Sequence, residues 1–403
     1  MRLDAVIFGG GATGLWTLDV LRRAGHSAVV LEAGELGAGQ TVVSQGIIHG
    51  GLKYTLDGLL SPSARSLRDM PRHWRRCLAG EEAPDLSATR RRADFCHLWR
   101  TAELGSRLAM FGARRGLQTA TRPLDAAARP AVLRSCPGSV ARLEEQVIDP
   151  DSLLSALAGH HPDRVLGVDV TNGLEIETTA PGHVDRIRLI DPASGAPLDV
   201  LPERVILAAG GGNATLREQC GLDATLMQRR PLHMVLARGD LPVLNGHCVD
   251  GMHTRATITT TRDYADRVVW QVGGQIAERG VEMEPATLVR HAAAELRAIL
   301  PGIELDGVEW TTYRVDRAEA RTRGRHRPSG PHVSQDGDVI TAWPTKLALV
   351  PVIADMILDR MPAPGENPTD PTGILSGWTR PQVAAPPWEE DLAWIAGDSA
   401  ASI

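Results

Sequence analysis

The chain lacks the cysteine pattern of a disulfide-stapled or zinc-held protein. Its five cysteines, Cys77, Cys96, Cys136, Cys220 and Cys248, are scattered, odd in number and never arranged Cys-x-x-Cys, which fits a reducing compartment. Any apolar run near the ~20 residues that span a bilayer is also missing. The first residues, Met1-Arg2-Leu3-Asp4, run straight into a strand with no leader pattern. A cytoplasmic protein without a transmembrane segment is expected, peripheral membrane contact being left open. There is no basic excess: the net charge of −6 is spread along the chain, so nucleic acid is not an expected partner, and Arg90-Arg91-Arg92 reads as a solvated face. No internal repeat is visible. What is present is an ordinary globular composition, 43% hydrophobic and 23% charged over 403 residues, enough for one large or two interleaved domains.

Ala5-Val6-Ile7-Phe8 is a continuous apolar run ending in glycines, the pattern of a buried parallel strand. Leu15, Leu18 and Leu21 then line one face of a helix, Gly25 ends it, and Ala28-Val29-Val30-Leu31-Glu32 reads as a second strand. Between first strand and helix stands Gly9-Gly10-Gly11-Ala12-Thr13-Gly14. Gly9 permits the tight turn, Gly11 lets backbone approach a pyrophosphate, and Gly14 lets helix pack on strand. The helix start offers free amides and a positive dipole end to phosphates. Glu32 ends the second strand about 20 residues on, where a carboxylate accepts hydrogen bonds from ribose hydroxyls. Together these predict dinucleotide binding, with FAD and NAD both open. No second Gly-x-Gly-x-x-Gly follows for a nicotinamide nucleotide, which argues against an NAD(P)H-driven monooxygenase.

Further on, helices are predicted over 66–79, where Pro71 starts or kinks the helix, over 151–158 and over 284–299. Strands are predicted at 164–170, 184–190 and 205–209. Shorter β-like segments at 232–237, 254–260 and 267–272 suggest an antiparallel sheet distinct from the first. An apolar helix follows Ile340. The tail has seven prolines between 362 and 387 and carries Trp378, Trp388 and Trp394, so it is expected to wrap over the body.

The stretch Gly39-Gln40-Thr41-Val42-Val43-Ser44-Gln45-Gly46-Ile47-Ile48-His49-Gly50-Gly51-Leu52-Lys53-Tyr54 is rich in glycine and small polar residues, and its backbone suits contact with a flat ring system. Here the chain resembles the D-amino-acid-oxidase-like superfamily of FAD oxidoreductases, in particular the branch of glycerol-3-phosphate dehydrogenases and L-2-hydroxyglutarate oxidases. Ser44, Gly46, Ile48, His49, Gly50, Gly51 and Tyr54 match that branch's pattern, with Gln40-Thr41 in place. Glu145-Gln146-Val147-Ile148-Asp149-Pro150, Leu207-Ala208-Ala209-Gly210, Trp270-Gln271-Val272-Gly273-Gly274 and Arg327-Pro328 before Asp338-Val339-Ile340 are weaker matches. In place of the family's Gly-rich turn before its last helix stands Ala342-Trp343-Pro344-Thr345-Lys346.

The resemblance implies a discontinuous Rossmann-type FAD domain (1–80, 140–228 and 320–362), an antiparallel-sheet substrate domain (81–139 and 229–319) and a separate tail (363–403). It implies FAD contacts from Gly9, Gly11, Ala12, Thr13, Gly14, Glu32, Ala33, Gln40, Thr41, Ser44, Gln45, Gly46, Ile48, His49, Gly50, Gly51, Val170, Ala209, Gly210, Thr345, Lys346 and Leu347. Lys346 is a candidate to neutralise charge at the flavin N1/C2 edge. His49 is the candidate base, since an imidazole pKa near ~6.5 suits that work. Among the arginines at 314–327, Arg327 and then Arg321 are candidates to hold a substrate anion. The expected reaction is oxidation of a small anionic CH–OH compound, a 2-hydroxy acid or glycerol 3-phosphate type, by hydride transfer to FAD. The electron acceptor (oxygen, quinone or protein) stays open. An amine or amino-acid oxidase, or a non-catalytic FAD-binding subunit, are the competing expectations.

Overall fold

The computed structural model describes residues 1–50, 69–101, 121–250, 253–325, 328, 330–365 and 373–396. One sheet is built outward from β1 (Arg2–Phe8), paired in parallel with β2 (Ala28–Glu32) on one side and β11 (Pro197–Leu207) on the other. β8 (Val165–Gly167) extends it beyond β2, and β18 (Val339–Trp343) beyond β11, both in parallel; β17 (His332–Asp336) closes that edge antiparallel. A hairpin of β9 (Leu174–Ala180) and β10 (His183–Ile190) hangs on the first residues of β11, which is why a strand expected at 205–209 starts at Pro197. Successive side chains of a strand point to opposite faces. Ala5 and Ile7 accordingly enter one core with Leu15, Leu18 and Leu21 of α1 (Ala12–Arg23), and Val6 and Phe8 enter another. Both faces being covered explains the continuous apolar run. The first core also receives α2 (Met70–Leu78), α3 (Pro150–His160) and α7 (Val350–Leu358). Pro71 lies in the first turn of α2, where its missing N–H costs nothing.

The second sheet has nine strands in the order β19 (Ile395–Ala396), β16 (Glu309–Ala320), β12 (Met227–Gly239), β15 (Val268–Gly273), β14 (His253–Arg262), β13 (Gly246–Asp250), β4 (Cys96–Arg100), β6 (Val140–Leu143) and β5 (Thr121–Pro123). All neighbours are antiparallel except β13 with β4. One face buries Trp99, Ile258, Trp270 and Trp310 against α6 (Pro285–Ile299). The other presents Leu232, Met234, Leu236 and Tyr313. Short helices α4 (Asn213–Gln219) and α5 (Gln275–Arg279) and a small ribbon of β3 (Arg91–Ala93) with β7 (Val147–Ile148) complete the elements. The strand at 140–143, grouped above with the first sheet, belongs to the second, because Val140 and Leu143 pair with Trp99 and Cys96 of β4.

Residues 373–396 do wrap over the body. Trp378 donates from Nε1 to Gly167 O at 2.8 Å, Leu36 and Val383 form a parallel bridge, Trp388 is buried against the second sheet, and the Arg238 guanidinium lies 3.7 Å over the Trp394 ring. Arg92 corrects the reading of residues 90–92 as a solvated face. Its guanidinium is buried, 5.0 Å over Trp388 and 3.6 Å from Asp149 Oδ1. The five cysteines are buried free thiols. Among the described residues no helix is long and apolar enough to cross a membrane.

Candidate active site

β1, β2, β11 and β18 run in parallel and end together, and the strand order reverses at β1 and β11, the position where open α/β sheets bind ligands. The glycine turn sits there. Gly9 has φ +106, and a Cβ on it would lie 2.6 Å from Ala209 Cα and 2.7 Å from Ala208 O. A Cβ on Gly14 would strike Gly9 O. Those two glycines are demanded by the fold. Gly11 is not: it caps α1 with ordinary φ −80, and its Cβ would meet only Thr41 Oγ1 at 3.2 Å. The remaining space is a cradle at a helix N-terminus whose cap makes no side-chain bond. Ala12 N–H reaches Thr41 Oγ1 at 3.2 Å. Glu32 closes the far side, accepting from Gly10 N–H at 2.6 Å and Gly34 N–H at 3.0 Å; Ala33 follows it directly.

Thr345, after β18, has φ +62, a region that a β-branched residue enters only under strain. Its hydroxyl and that of Ser44 are buried with no hydrogen-bond partner among the described residues. Lys346, also buried, precedes the 3-10 turn Leu347–Leu349 that leads into α7. Ala209 donates from its N–H to Asn213 Oδ1 at 2.8 Å, and Gly210 has φ +54. A cradle left open at Gly11, two orphaned buried hydroxyls and a buried cation at the strand ends fit a bound dinucleotide.

The segment 40–50 joins the two sheets. Gln40 Oε1 accepts from Ala318 N–H at 3.2 Å, and Gln45 Nε2 donates to Thr257 O at 3.1 Å and Gln271 O at 2.9 Å. Val43 O accepts from Gln271 Nε2 at 2.7 Å and Tyr313 OH at 3.1 Å. Gly46, at φ +69, and Ile48 then pair with Ile148 and Gln146 through backbone bonds of 2.9 Å each. That pairing delivers His49 to Glu145. Glu145 Oε1 accepts the Gly50 N–H at 2.7 Å. Its Oε2 lies 3.4 Å from His49 Nδ1 and 3.5 Å from His247 Nε2. The two imidazole centroids are 5.5 Å apart, and His247 Nδ1 contacts Thr257 Oγ1 at 3.0 Å. Burial pushes the Glu145 carboxyl up, but the two imidazoles beside it hold it well below the usual carboxylate range.

Sequence reasoning missed Glu145 and His247 as site residues. Glu145 stood in a stretch similar to the family and carried a signal; His247 stood alone and carried none. Two expected residues are elsewhere. Val170 is 45% exposed beyond the end of β8; the residue joined to Glu32 is Val168, whose N–H donates to Glu32 O at 2.9 Å. Arg321 is exposed, its guanidinium 3.5 Å from Thr225 O. Arg314 bonds the carbonyls of Val281 and Met283, so these two arginines do not converge on His49. Gly51, Tyr54 and Arg327 lie outside the described residues.

A parallel βαβ sheet carrying a dinucleotide cradle, with an antiparallel sheet laid against the same loops, defines a flavoprotein-type oxidoreductase fold. The sequence pattern of the DAO family, described as FAD dependent oxidoreductase, matches residues 4–342. A probable FAD-dependent oxidoreductase of Pseudomonas aeruginosa is 37% identical over 398 residues, covering 98% of this chain and 99% of that one. The crystal structure of the Pseudomonas protein superposes with a TM-score of 0.80 over 96% of this chain and 98% of that one, at 34% identity. At the level of fold alone, L-α-glycerophosphate oxidase from Mycoplasma pneumoniae with FAD bound has a TM-score of 0.63 at 14% identity, covering 98% of this chain and all (100%) of that one. Glycine oxidase from Geobacillus kaustophilus has 0.61 at 17%, covering 89% of this chain and 94% of that one. The chain belongs to the DAO family and is an FAD-dependent oxidoreductase.

Proposed function

We propose that this enzyme oxidises a small hydroxy compound at carbon, a 2-hydroxy acid or glycerol 3-phosphate type, with His49 as the base. The observation that carries the reading is His49 Nδ1 facing a fully buried carboxylate at 3.4 Å. A carboxylate on Nδ1 favours the tautomer with its lone pair on Nε2. An alcohol has to lose its O–H proton as the carbon is oxidised, whereas a neutral amine already holds the lone pair that expels a hydride. A positioned imidazole with a buried counter-charge is therefore worth more to CH–OH than to CH–NH oxidation. Gly11, the α1 amides, Glu32 and Ala33 would hold the pyrophosphate and ribose of FAD. Gln40, Thr41, Ser44, Gln45, Gly46, Ile48, His49 and Gly50 would run along the pyrophosphate and onto the ring, with Ala209, Gly210, Thr345, Lys346 and Leu347 beside them. When bound, FAD supplies the two-electron acceptor. The substrate's anionic group would be held by Arg327, which leads by its position in the family resemblance, and then by Arg321.

The test is anaerobic titration with 2-hydroxy acids, glycerol 3-phosphate and the matching amino acids. Bleaching of the flavin by a hydroxy compound is expected. Bleaching by amino acids alone would replace the reading with an amino-acid oxidase, and bleaching by neither would remove both substrate classes.

A further inference from the structure

We propose that Glu145 is a positioning residue for the base, and that Glu145, His49 and His247 act as one unit in which a single buried carboxylate oxygen serves both imidazoles. The inference deepens the function proposed above and rests on its assignment of His49. Glu145 Oε1 is taken by the Gly50 N–H, which fixes the carboxylate plane against the loop that carries His49. Oε2 is shared by His49 Nδ1 and His247 Nε2. The strands bring these three together from remote parts of the sequence. Glu145 stands between β6 and β7, His247 in β13, and His49 follows the stretch bridged to β7 at Ile47 and Val147.

The distances of 3.4 and 3.5 Å are longer than the ~2.7–2.9 Å of a charge-assisted N–H···O bond. At these lengths the contacts are ion pairs rather than formed hydrogen bonds, and catalytic contacts often tighten only with substrate bound. As the substrate O–H bond breaks and an N–H bond forms at His49 Nε2, the ring becomes an imidazolium. Glu145 then faces a full positive charge across Nδ1; bound FAD would take up the hydride that leaves carbon. His247, anchored through Nδ1 on Thr257, holds Oε2 in place and limits the carboxylate to one orientation. Burial, and after it the Glu145 charge, keep the Cys96 thiol of β4 protonated.

The experiment is anaerobic stopped-flow reduction of the holoenzyme, with whichever hydroxy substrate bleaches it, across pH. Glu145→Gln keeps an acceptor for Gly50 N–H and nearly the same volume but loses the charge. It is expected to retain FAD and to bind substrate within a few-fold of wild type. Its limiting reduction rate should fall by about 10²-fold, within the range one acid–base group contributes. The acid limb of its rate profile should move to lower pH, because the imidazolium loses its counter-charge. His247→Gln should lower the limiting rate less, and the double variant should fall no further than Glu145→Gln alone, since residues acting as a unit are not additive. A carboxylate that merely holds the loop would change FAD retention and leave the pH profile in place. If Glu145→Gln does not hold FAD, His247→Gln in the intact protein carries the rate readout: a slower limiting reduction is expected, and a wild-type rate would overturn the unit.

A wild-type limiting rate in Glu145→Gln while His49→Ala is slow would overturn this inference and leave the base assignment standing. A wild-type rate in His49→Ala would remove the base assignment and this inference with it. A stoichiometric zinc ion in the purified enzyme, lost together with activity on chelation, would also overturn it, since His49, Glu145 and His247 would then be ligands.

Discussion

Replacing Gly11 with alanine separates what the fold needs from what the cofactor needs. At φ −80 an alanine is unstrained, and the added Cβ meets only the hydroxyl of Thr41 at 3.2 Å. Weakening the Ala12–Thr41 bond costs about 0.5–1.5 kcal/mol, and the lower entropy of an unfolded chain with alanine returns about 0.4–1 kcal/mol. The apoprotein should therefore melt within a few degrees of wild type. If Gly11 holds the pyrophosphate as proposed, the same methyl group would stand between backbone and phosphate. Losing two backbone bonds to a charged phosphate, at about 1.5–3 kcal/mol each, removes about 3–6 kcal/mol. At about 1.4 kcal/mol per decade, affinity falls by roughly 10²- to 10⁴-fold. Gly9→Ala is the control: its φ of +106 and its close approach to the backbone of Ala208 and Ala209 predict a large drop in melting temperature even without FAD. The assays are thermal melting of apoprotein and FAD titration by loss of flavin fluorescence. Wild-type FAD affinity in Gly11→Ala, or an undiminished melting temperature in Gly9→Ala, would refute the reasoning.

Thr345→Gly should stabilise the apoprotein by about 1 kcal/mol through relief of the left-handed backbone, yet weaken FAD by about tenfold if its hydroxyl meets the cofactor; unchanged values of both would remove Thr345 from the site. Arg327→Ala should raise the substrate dissociation constant, by about 2–4 kcal/mol for a buried charge-assisted pair, with the limiting rate of flavin reduction little changed; equal substrate affinity in wild type and variant would show that the anion is held elsewhere. The Glu145 carboxyl is held below its unfolded value, so its contribution to stability is present above the unfolded pKa near ~4.3 and is lost as pH falls toward the depressed native value. Acid melts of wild type should therefore steepen below about pH 4.5 more than those of Glu145→Gln; parallel curves would mean that the charge is not stabilised in the native state.

The N-terminal dinucleotide motif was legible because all its determinants are local. A buried strand, three glycines at fixed offsets and an acidic residue one βαβ turn later fall within the first 32 residues. The antiparallel texture of 254–272 was legible for a similar reason, since β14 pairs with its sequence neighbours β13 and β15. What stayed hidden is non-local. Strand β4 joins β13 from nearly 150 positions away, and no periodicity announces such a pairing. His49, Glu145 and His247 meet only after that pairing is made. In the arginine-rich stretch Arg314 reaches carbonyls beyond the sheet and Arg321 stands at an exposed turn just after β16, while Arg327 lies outside the described residues.

The wrapping of residues 373–396 bears on the order in which this molecule can be completed. The second sheet collects strands from four separate stretches of chain, and its outer strand β16 receives β19 from the last of them. The same stretch meets the first sheet at Leu36 and Gly167. Contacts so distant in sequence require closure of very long loops, which slows folding and lengthens the life of exposed apolar surface. During synthesis the face carrying Leu232, Met234 and Tyr313 waits for Trp388, made more than 70 residues after Tyr313. A nascent chain halted before that tryptophan would carry a finished cradle for FAD beside an uncovered sheet. Recruiting FAD early would steady the first sheet while the second was still waiting for its cover.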